Sequence, residues 1–302
     1  MKKDLLTLKD LTKEDIVDII KRAEEIKKGP LKKVKPLADH TIGLIFDKQS
    51  TRTRVSFEVA IYKLGGNAIF LTSSDTQIAR GEPVKDTARV LSSYVDGLIV
   101  RTYSQKQVEE LAKWSSIPVI NALTDMYHPC QVLSDLMTVD ENRVSLDNLR
   151  VAWIGDGNNV ANSWINAATI MKFELTMAFP EGYLPSPDIL ANTSSNVKLV
   201  STPQEAATEA NIIYTDVWAS MGQEDEREQR INDFNGWQVN QSLIDLADKD
   251  VMVMHCLPAH RGEEITDEVM EGPRSIIFAQ AENKLYVHQA TLEKYLKPAL
   301  VL

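Results

Sequence analysis

The 302-residue chain predicts an α/β fold: two doubly wound parallel-sheet domains joined by a helix, with the C-terminal helix packing back on the first domain. Three observations carry this. Short apolar runs of β-like composition alternate with helical patterns from Thr41 onward, which is βα repetition and implies a parallel sheet. A composition of 43% hydrophobic and 25% charged residues supplies one large or two ordinary cores. Polar residues recur just after the apolar runs, where such sheets bind ligands.

The elements follow in order. Thr12-Lys13-Glu14-Asp15 opens an amphipathic helix through Ile16, Ile19, Ile20, Ala23 and Ile26, and the lysine clusters at 27–28 and 32–35 are solvated faces. Strands are expected at 41–46, 67–71, 96–101 and 117–122, with helices at 54–64, 83–94 and 105–115. A long helix from about 129 to 140 leaves this unit. The second unit repeats the scheme, with strands near 150–155, 174–179, 197–200, 211–216, 251–256 and 275–279 and helices near 159–171, 203–208, 239–247 and 283–296. The first domain is placed at 1–135, completed by 285–302, and the second at 136–284.

A formal net charge of -10 argues against a nucleic-acid or anionic-membrane partner. No apolar leader or membrane span is evident, and Cys130 and Cys256 make no disulfide framework, so the expectation is a cytoplasmic protein.

The densest chemistry lies at Asp47-Lys48-Gln49-Ser50-Thr51-Arg52-Thr53-Arg54, between the first strand and its helix. Ser50 or Thr51 can cap that helix, while Arg52 and Arg54 occupy a first turn whose dipole disfavours cations. Arg54 can pair with Glu58 four residues on; nothing local offsets Arg52. Amides, hydroxyls and guanidiniums converging there suit an anion, most naturally a phosphate, although the chain has no Walker loop.

Other candidates follow later strands: Arg101; His128-Pro129-Cys130-Gln131, with Pro129 at a first helical position; Gly155-Asp156-Gly157-Asn158-Asn159; Asp216 to Gly222; and His255-Cys256-Leu257-Pro258. Each has a plainer alternative, such as a surface ion pair for Arg101, a capping histidine for His128 or a buried small hydrophobe for Cys256. Their shared location shifts the balance toward function. Gly155-Asp156-Gly157 is not a dinucleotide fingerprint, because Val160 stands where the third glycine belongs. Asn158 and Asn159 at that helix start could instead bind a carboxylate. The five histidines show no metal-ligand spacing.

Taken together, Ser50-Thr51-Arg52-Thr53-Arg54, His128-Pro129-Cys130-Gln131, Asp216…Ser220-Met221-Gly222 and His255-Cys256-Leu257-Pro258 resemble the aspartate/ornithine carbamoyltransferase family, and within it the ornithine-specific members. The resemblance runs from the first strand to the last helix with the motifs in the family's order. It implies a carbamoyl-phosphate-binding first domain and an ornithine-binding second domain. Carbamoyl phosphate would contact Ser50, Thr51, Arg52, Thr53, Arg101, His128, Gln131, Leu257, Lys284 and, from a neighbouring subunit, Gln77. Ornithine would contact Asn159, Asp216, Ser220, Met221 and Cys256, and the catalytic set would be Arg101, His128, Asp216 and Cys256.

The resemblance further implies a homotrimer, or an assembly of trimers, with shared active sites, and neither a cofactor nor a metal. Lys284 is a departure, since the family usually carries arginine in this Ala281-Glu282-Asn283-Lys284 segment. A related transferase using putrescine or aspartate, and a non-catalytic relative, are the alternatives. Intact Arg52, Arg101, His128, Asp216 and Cys256 argue against the last.

Overall fold

The computed structural model describes residues 4–29, 35–72, 76, 81–142, 146, 148–219 and 224–296. The chain divides into two compact units, Met1–Met137 with Asn283–Leu302, and Thr138–Glu282.

In the first unit α1 (Lys13–Lys28) opens with a capping box in which Thr12 and Asp15 satisfy each other's backbone donors. It buries Ile16, Ile19, Ile20 and Ala23 along one stripe. There follow β1 (Thr41–Phe46), α2 (Thr51–Lys63), β2 (Asn67–Thr72), α3 (Val84–Leu91), β3 (Gly97–Arg101), α4 (Gln105–Trp114), β4 (Val119–Leu123) and α5 (Pro129–Asn142). The four strands are parallel, in the order β2-β1-β3-β4. The interior strands β1 and β3 read as nearly continuous apolar runs because helices cover both sheet faces. Ile45, Leu98, Val100, Val108 and Leu111 anchor a core between sheet and helices.

The second unit contains β5 (Arg150–Ile154), α6 (Asn159–Met171), β6 (Glu174–Ala178), α7 (Pro187–Leu190), β7 (Val197–Val200), α8 (Pro203–Ala207), β8 (Ile212–Thr215), α9 (Arg227–Asp233), α10 (Gln241–Ile244), β9 (Met252–His255) and α11 (Asp267–Glu271). Its five strands are again parallel, ordered β7-β6-β5-β8-β9. Trp153 of β5 stacks on Tyr214 of β8, and Trp164 of α6 meets the same ring edge-on.

The last helix, α12 (Ile277–Leu296), belongs to the first unit from Asn283 onward. Arg22 grips Glu293 through Nε at 2.6 Å, and the His288 ring stacks on Phe57 with centroids 3.6 Å apart.

One expectation is corrected. The strand placed at 275–279 does not form: Ser275 makes an isolated bridge to Val253, and α12 starts at Ile277. Ser275-Ile276-Ile277-Phe278-Ala279 is a short apolar run whose period cannot separate a buried strand from a buried helix start. Gln280 N–H donating to Ile276 O at 2.9 Å decides for the helix.

Both strand orders reverse direction at one point: between β1 and β3 in the first sheet, and between β5 and β8 in the second. In open parallel sheets that switch point opens a crevice beyond the strand C-termini, where ligands bind. The motif residues fall there. Ser50 to Arg54 follows β1, Arg101 ends β3, Gly155 to Asn159 follows β5, and Asp216 follows β8.

Candidate active site

The first unit gathers its chemistry around the start of α2. Ser50 is the N-cap, its hydroxyl accepting from Thr53 N–H at 3.2 Å. Thr53 is buried, Arg52 half-buried and Thr51 exposed. Arg54 is engaged elsewhere, with Nε on Glu58 at 3.0 Å and its guanidinium 3.4 Å over the Phe70 ring. Among the described residues Arg52 forms no ion pair. A cation left unpaired at a helix N-terminus is spared the local competition that would otherwise weaken its hold on an anion.

Arg101 is buried at the end of β3 and donates from Nε to Lys48 O at 3.2 Å, while Asp47 N–H donates to Arg101 O at 2.8 Å. Lys48 is itself buried, pairs with Asp125 and lies 4.5 Å from the Tyr103 ring centroid. His128 is buried just before α5 and held well below the ordinary histidine range, first by burial and then by the charges of Lys284 and Arg101 and by His288. A neutral imidazole among cations can donate one N–H toward a polarised oxygen without itself carrying charge. Gln131 is clamped at both ends of its amide: Nε2 donates to Asp135 Oδ1 at 2.8 Å and Oε1 accepts from Lys284 Nζ at 2.9 Å. This half concentrates positive charge in a chain whose net charge is -10.

The second unit builds a different surface. Asn158 caps α6, its Oδ1 accepting from Val160 N–H at 2.9 Å and Ala161 N–H at 3.1 Å. Its Nδ2 donates to Asp216 Oδ2 at 2.7 Å. The other oxygen, Oδ1, accepts from Val217 N–H at 2.8 Å and Cys256 Sγ at 2.9 Å. Asp216 is 5% exposed, so a buried carboxylate is fixed by donors from three elements. Asn159 is the first residue of α6.

β9 ends at His255, and the chain then turns through Cys256 to Leu257, whose φ of 58° is left-handed. The Gly155-Asp156-Gly157 turn has a packing reason, not a nucleotide one: a Cβ on Gly157 would meet Pro185 N at 2.3 Å. Asp156 is pushed up to about 6 by burial, against the pull of Arg230, whose Nη1 donates to it at 3.2 Å and to Trp218 O at 2.8 Å.

The structure therefore places Ser50, Thr51, Arg52, Thr53, Arg101, His128, Gln131 and Lys284 on one unit, and Asn159, Asp216, Cys256 and Leu257 on the other. Gln77, Ser220 and Met221 lie outside the described residues. Sequence reasoning missed the second grip on Asp216 from Asn158, the burial of Lys48, and the pairing of His255 with Glu264 at 3.0 Å. It also saw no metal spacing. Among the described residues two groups, Asp216/His255/Cys256 and His260/Glu263/Glu264, bring one ligand-type atom each within 4.8 Å of one another. Each group mixes residues that hydrogen-bond among themselves, as Asp216–Cys256 and His255–Glu264 show.

The first unit thus presents a donor-rich helix start beside a cationic cluster, and the second a clamped carboxylate–thiol pair. Comparison with known proteins gives the family. Residues 3–141 match the aspartate/ornithine carbamoyltransferase carbamoyl-P binding domain, and residues 147–294 the Asp/Orn binding domain of the same family. The chain belongs to the aspartate/ornithine carbamoyltransferase family.

A relative described as ornithine carbamoyltransferase, from Syntrophus aciditrophicus, is 52% identical over 299 residues, covering 97% of this chain and 99% of its own. Another, from Desulfotalea psychrophila, is 51% identical over 298 residues, covering 97% and 98%. The solved ornithine carbamoyltransferase from Pyrococcus furiosus superposes with a TM-score of 0.94 at 45% identity, covering 98% of both chains.

Proposed function

We propose that the chain transfers the carbamoyl group of carbamoyl phosphate to the δ-amine of L-ornithine, giving L-citrulline and phosphate, in arginine biosynthesis. The observation that carries the ornithine reading is the Asp216–Cys256 pair at 2.9 Å, a buried acceptor and a polarisable donor able to align an amine.

Carbamoyl phosphate takes its phosphate on the Ser50–Thr53 turn, with Arg52 as the main cation. Its carbonyl oxygen is polarised by Thr53, Arg101 and His128. Gln131 and the Leu257 carbonyl accept from the carbamoyl NH2, and Lys284 adds charge on the donor. Asn159, Asp216, Ser220 and Met221 read the amino-acid end of ornithine, and Asp216 with Cys256 orients the δ-amine.

The nucleophile is the neutral amine, whose ordinary pKa is near that of lysine, about 10.4. Desolvation beside cations lowers that value, while an aligned acceptor orients the amine. Attack forms the C–N bond, and the oxyanion that develops is held by preorganised donors. Collapse breaks the C–O bond to phosphate, and the proton shed by the amine passes to the departing phosphate. Aligning the two substrates supplies much of the rate.

The same reading makes the protein a cytoplasmic homotrimer or assembly of trimers, with Gln77 reaching a neighbour's donor site. It is supported by the large apolar side chains that the first unit leaves exposed, Val55, Tyr62, Ile69, Val90 and Tyr94. Among the described residues no helix is long and apolar enough to cross a membrane.

The test is citrulline formation from carbamoyl phosphate and L-ornithine, with L-aspartate and putrescine as rival acceptors and sedimentation velocity for the assembly. Turnover with ornithine alone is expected. Preference for another amine overturns the Asp216–Cys256 assignment. Absence of turnover beside tight carbamoyl-phosphate binding points to a non-catalytic relative.

A further inference from the structure

We propose that Glu264 is a positioning residue for the carbamoyl end of the site, acting through the His255 ring on the backbone of Leu257. The inference rests on the reading above that the Leu257 carbonyl accepts from the carbamoyl NH2.

The φ of 58° at Leu257 is a backbone state that L side chains rarely adopt, and such a state persists where surrounding contacts over-determine it. The contact here is specific. Leu257 N–H donates to His255 Nδ1 at 2.8 Å, two residues back along the chain. Nδ1 is therefore the unprotonated nitrogen, and in a neutral ring the hydrogen sits on Nε2.

Nε2 lies 3.0 Å from Glu264 Oε1, so the ring donates to the carboxylate at one end and receives the Leu257 amide at the other. Both side chains are 0% exposed. Glu264 Oε1 also accepts from His260 N–H at 2.6 Å, which fixes the far side of the same turn. The ring's own backbone is pinned as well: His255 N–H donates to Gln280 Oε1 at 3.0 Å, and Gln280 Nε2 donates to the Tyr214 hydroxyl at 3.0 Å.

Glu264 thus selects the tautomer that holds Leu257. Without its acceptor the ring is free to place its hydrogen on Nδ1, which would face the Leu257 N–H and release the turn. Among the described residues Glu264 Oε2 is buried with no hydrogen-bond partner, so the carboxylate is held by them through Oε1. A glutamine amide oxygen could serve the same two donors, whereas a leucine of similar size could serve neither.

The experiment combines nitrogen-15 NMR of the histidine rings with steady-state kinetics on the full-length protein, the His255 resonances being assigned with His255→Gln. Wild type should show Nδ1 unprotonated and Nε2 protonated. Glu264→Gln should keep this signature and stay within about threefold of wild-type kcat. Glu264→Leu should lose it, and kcat for citrulline should fall about 10²-fold, the scale expected when a reacting group is misplaced by a remote change. The Kd for inorganic phosphate, whose site is on the other unit, should not change.

A second variant reports on the route of the effect. In a Leu257→Gly background, where a positive φ needs no tether, the cost of Glu264→Leu should shrink to below about tenfold. An Nδ1–H tautomer in wild type overturns the proposal whether or not Glu264→Leu folds. So does equal loss of kcat in Glu264→Gln and Glu264→Leu, or an undiminished cost in the glycine background. Failure of the function itself is separate: it would appear as wild type lacking turnover with ornithine while retaining the tautomer.

Discussion

Lys284 donates from Nζ to the Gln131 amide oxygen at 2.9 Å, and both side chains are almost wholly buried. With Asp135 accepting from the other end of the amide, a cation and an anion together dictate which way Gln131 points. Lys284 therefore orients Gln131, and under the proposed function it does a second thing, supplying charge to the donor site. It does the second as a point charge, where an arginine would offer a planar fork. Lys284→Arg should bind carbamoyl phosphate about three- to tenfold tighter, and Lys284→Met about tenfold or more weaker. Isothermal titration with the substrate measures both, and an unchanged Kd in Lys284→Arg removes the assigned contact.

The two arginines at the start of α2 should separate cleanly. Arg54 is spent on Glu58 and Phe70, while Arg52 pairs with no acid among the described residues. Arg52→Ala should raise the Kd for carbamoyl phosphate about 10- to 100-fold, the value of a charge-assisted contact. The same change should stabilise the ligand-free protein by about 0.3–1 kcal/mol, because a cation leaves the positive end of the helix dipole. Arg54→Ala should show the reverse pattern, with little change in affinity and a small loss of stability. Denaturant midpoints with and without phosphate, run on both variants, decide this.

What the sequence made legible follows from the range of each interaction. The Ser50 cap, the Arg54–Glu58 pair and the start of α5 at Pro129 depend on neighbours within a turn, and the structure has all three. The strand ends that carry Arg101 and Asp216 were readable because parallel strands are bounded by composition. The His255–Glu264 and Ser56–His288 contacts were not, since they join residues whose spacing has no period. The strand expected at 275–279 failed for the complementary reason: five residues of mostly apolar sequence fit either period, and tertiary packing chose.

Acid should weaken the first unit through its buried histidines. His128 and His288 both lie well below the usual value of 6.5, through burial and then the charge of Lys284, with Arg101 also acting on His128. Above pH 6.5 neither folded nor unfolded chains hold these protons, so the two groups give no pH dependence. As pH falls below 6.5 the unfolded chain takes up protons that the native unit refuses. Stability should then drop by about 1.4 kcal/mol per pH unit for each histidine.

His288→Gln should flatten the slope by one proton, read as amide hydrogen exchange of β1 and β3 between about pH 7.5 and 5. An unaltered slope would mean that His288 takes up a proton in the native state.

The second unit should respond with the opposite sign through Asp156. Its carboxyl is pushed up to about 6 from an ordinary 3.8, so between those values the native state keeps a proton that the unfolded chain has lost. This contribution is full below pH 3.8 and disappears as pH rises through about 6. Above that the buried charge rests on Arg230, which also holds Trp218 O. Asp156→Asn should remove this rise on acidification, measured by hydrogen exchange of β5 and β8. Retention of the rise in the variant would assign it to another group.

Under the proposed function, Asp216 is the residue on which the acceptor half stands. Asn158 holds one carboxylate oxygen, and Cys256 with the Val217 amide holds the other, so the group is fixed before any amine arrives. Asp216→Asn replaces one of these acceptors with a donor, which must then face either the Asn158 amide or the Cys256 thiol. The expected result is a fall in kcat/KM for ornithine of about 10²-fold or more, the scale of a positioned acceptor in proton-coupled steps. Carbamoyl-phosphate affinity should be unchanged, since Arg52, Arg101, His128 and Lys284 belong to the other unit. Cys256→Ser keeps a donor to Asp216 and should stay within about tenfold of the parent enzyme. Full activity in Asp216→Asn would show that the δ-amine is aligned by something else. Equal losses in Asp216→Asn and Cys256→Ser would instead make the thiol, and not the carboxylate it donates to, the group that matters.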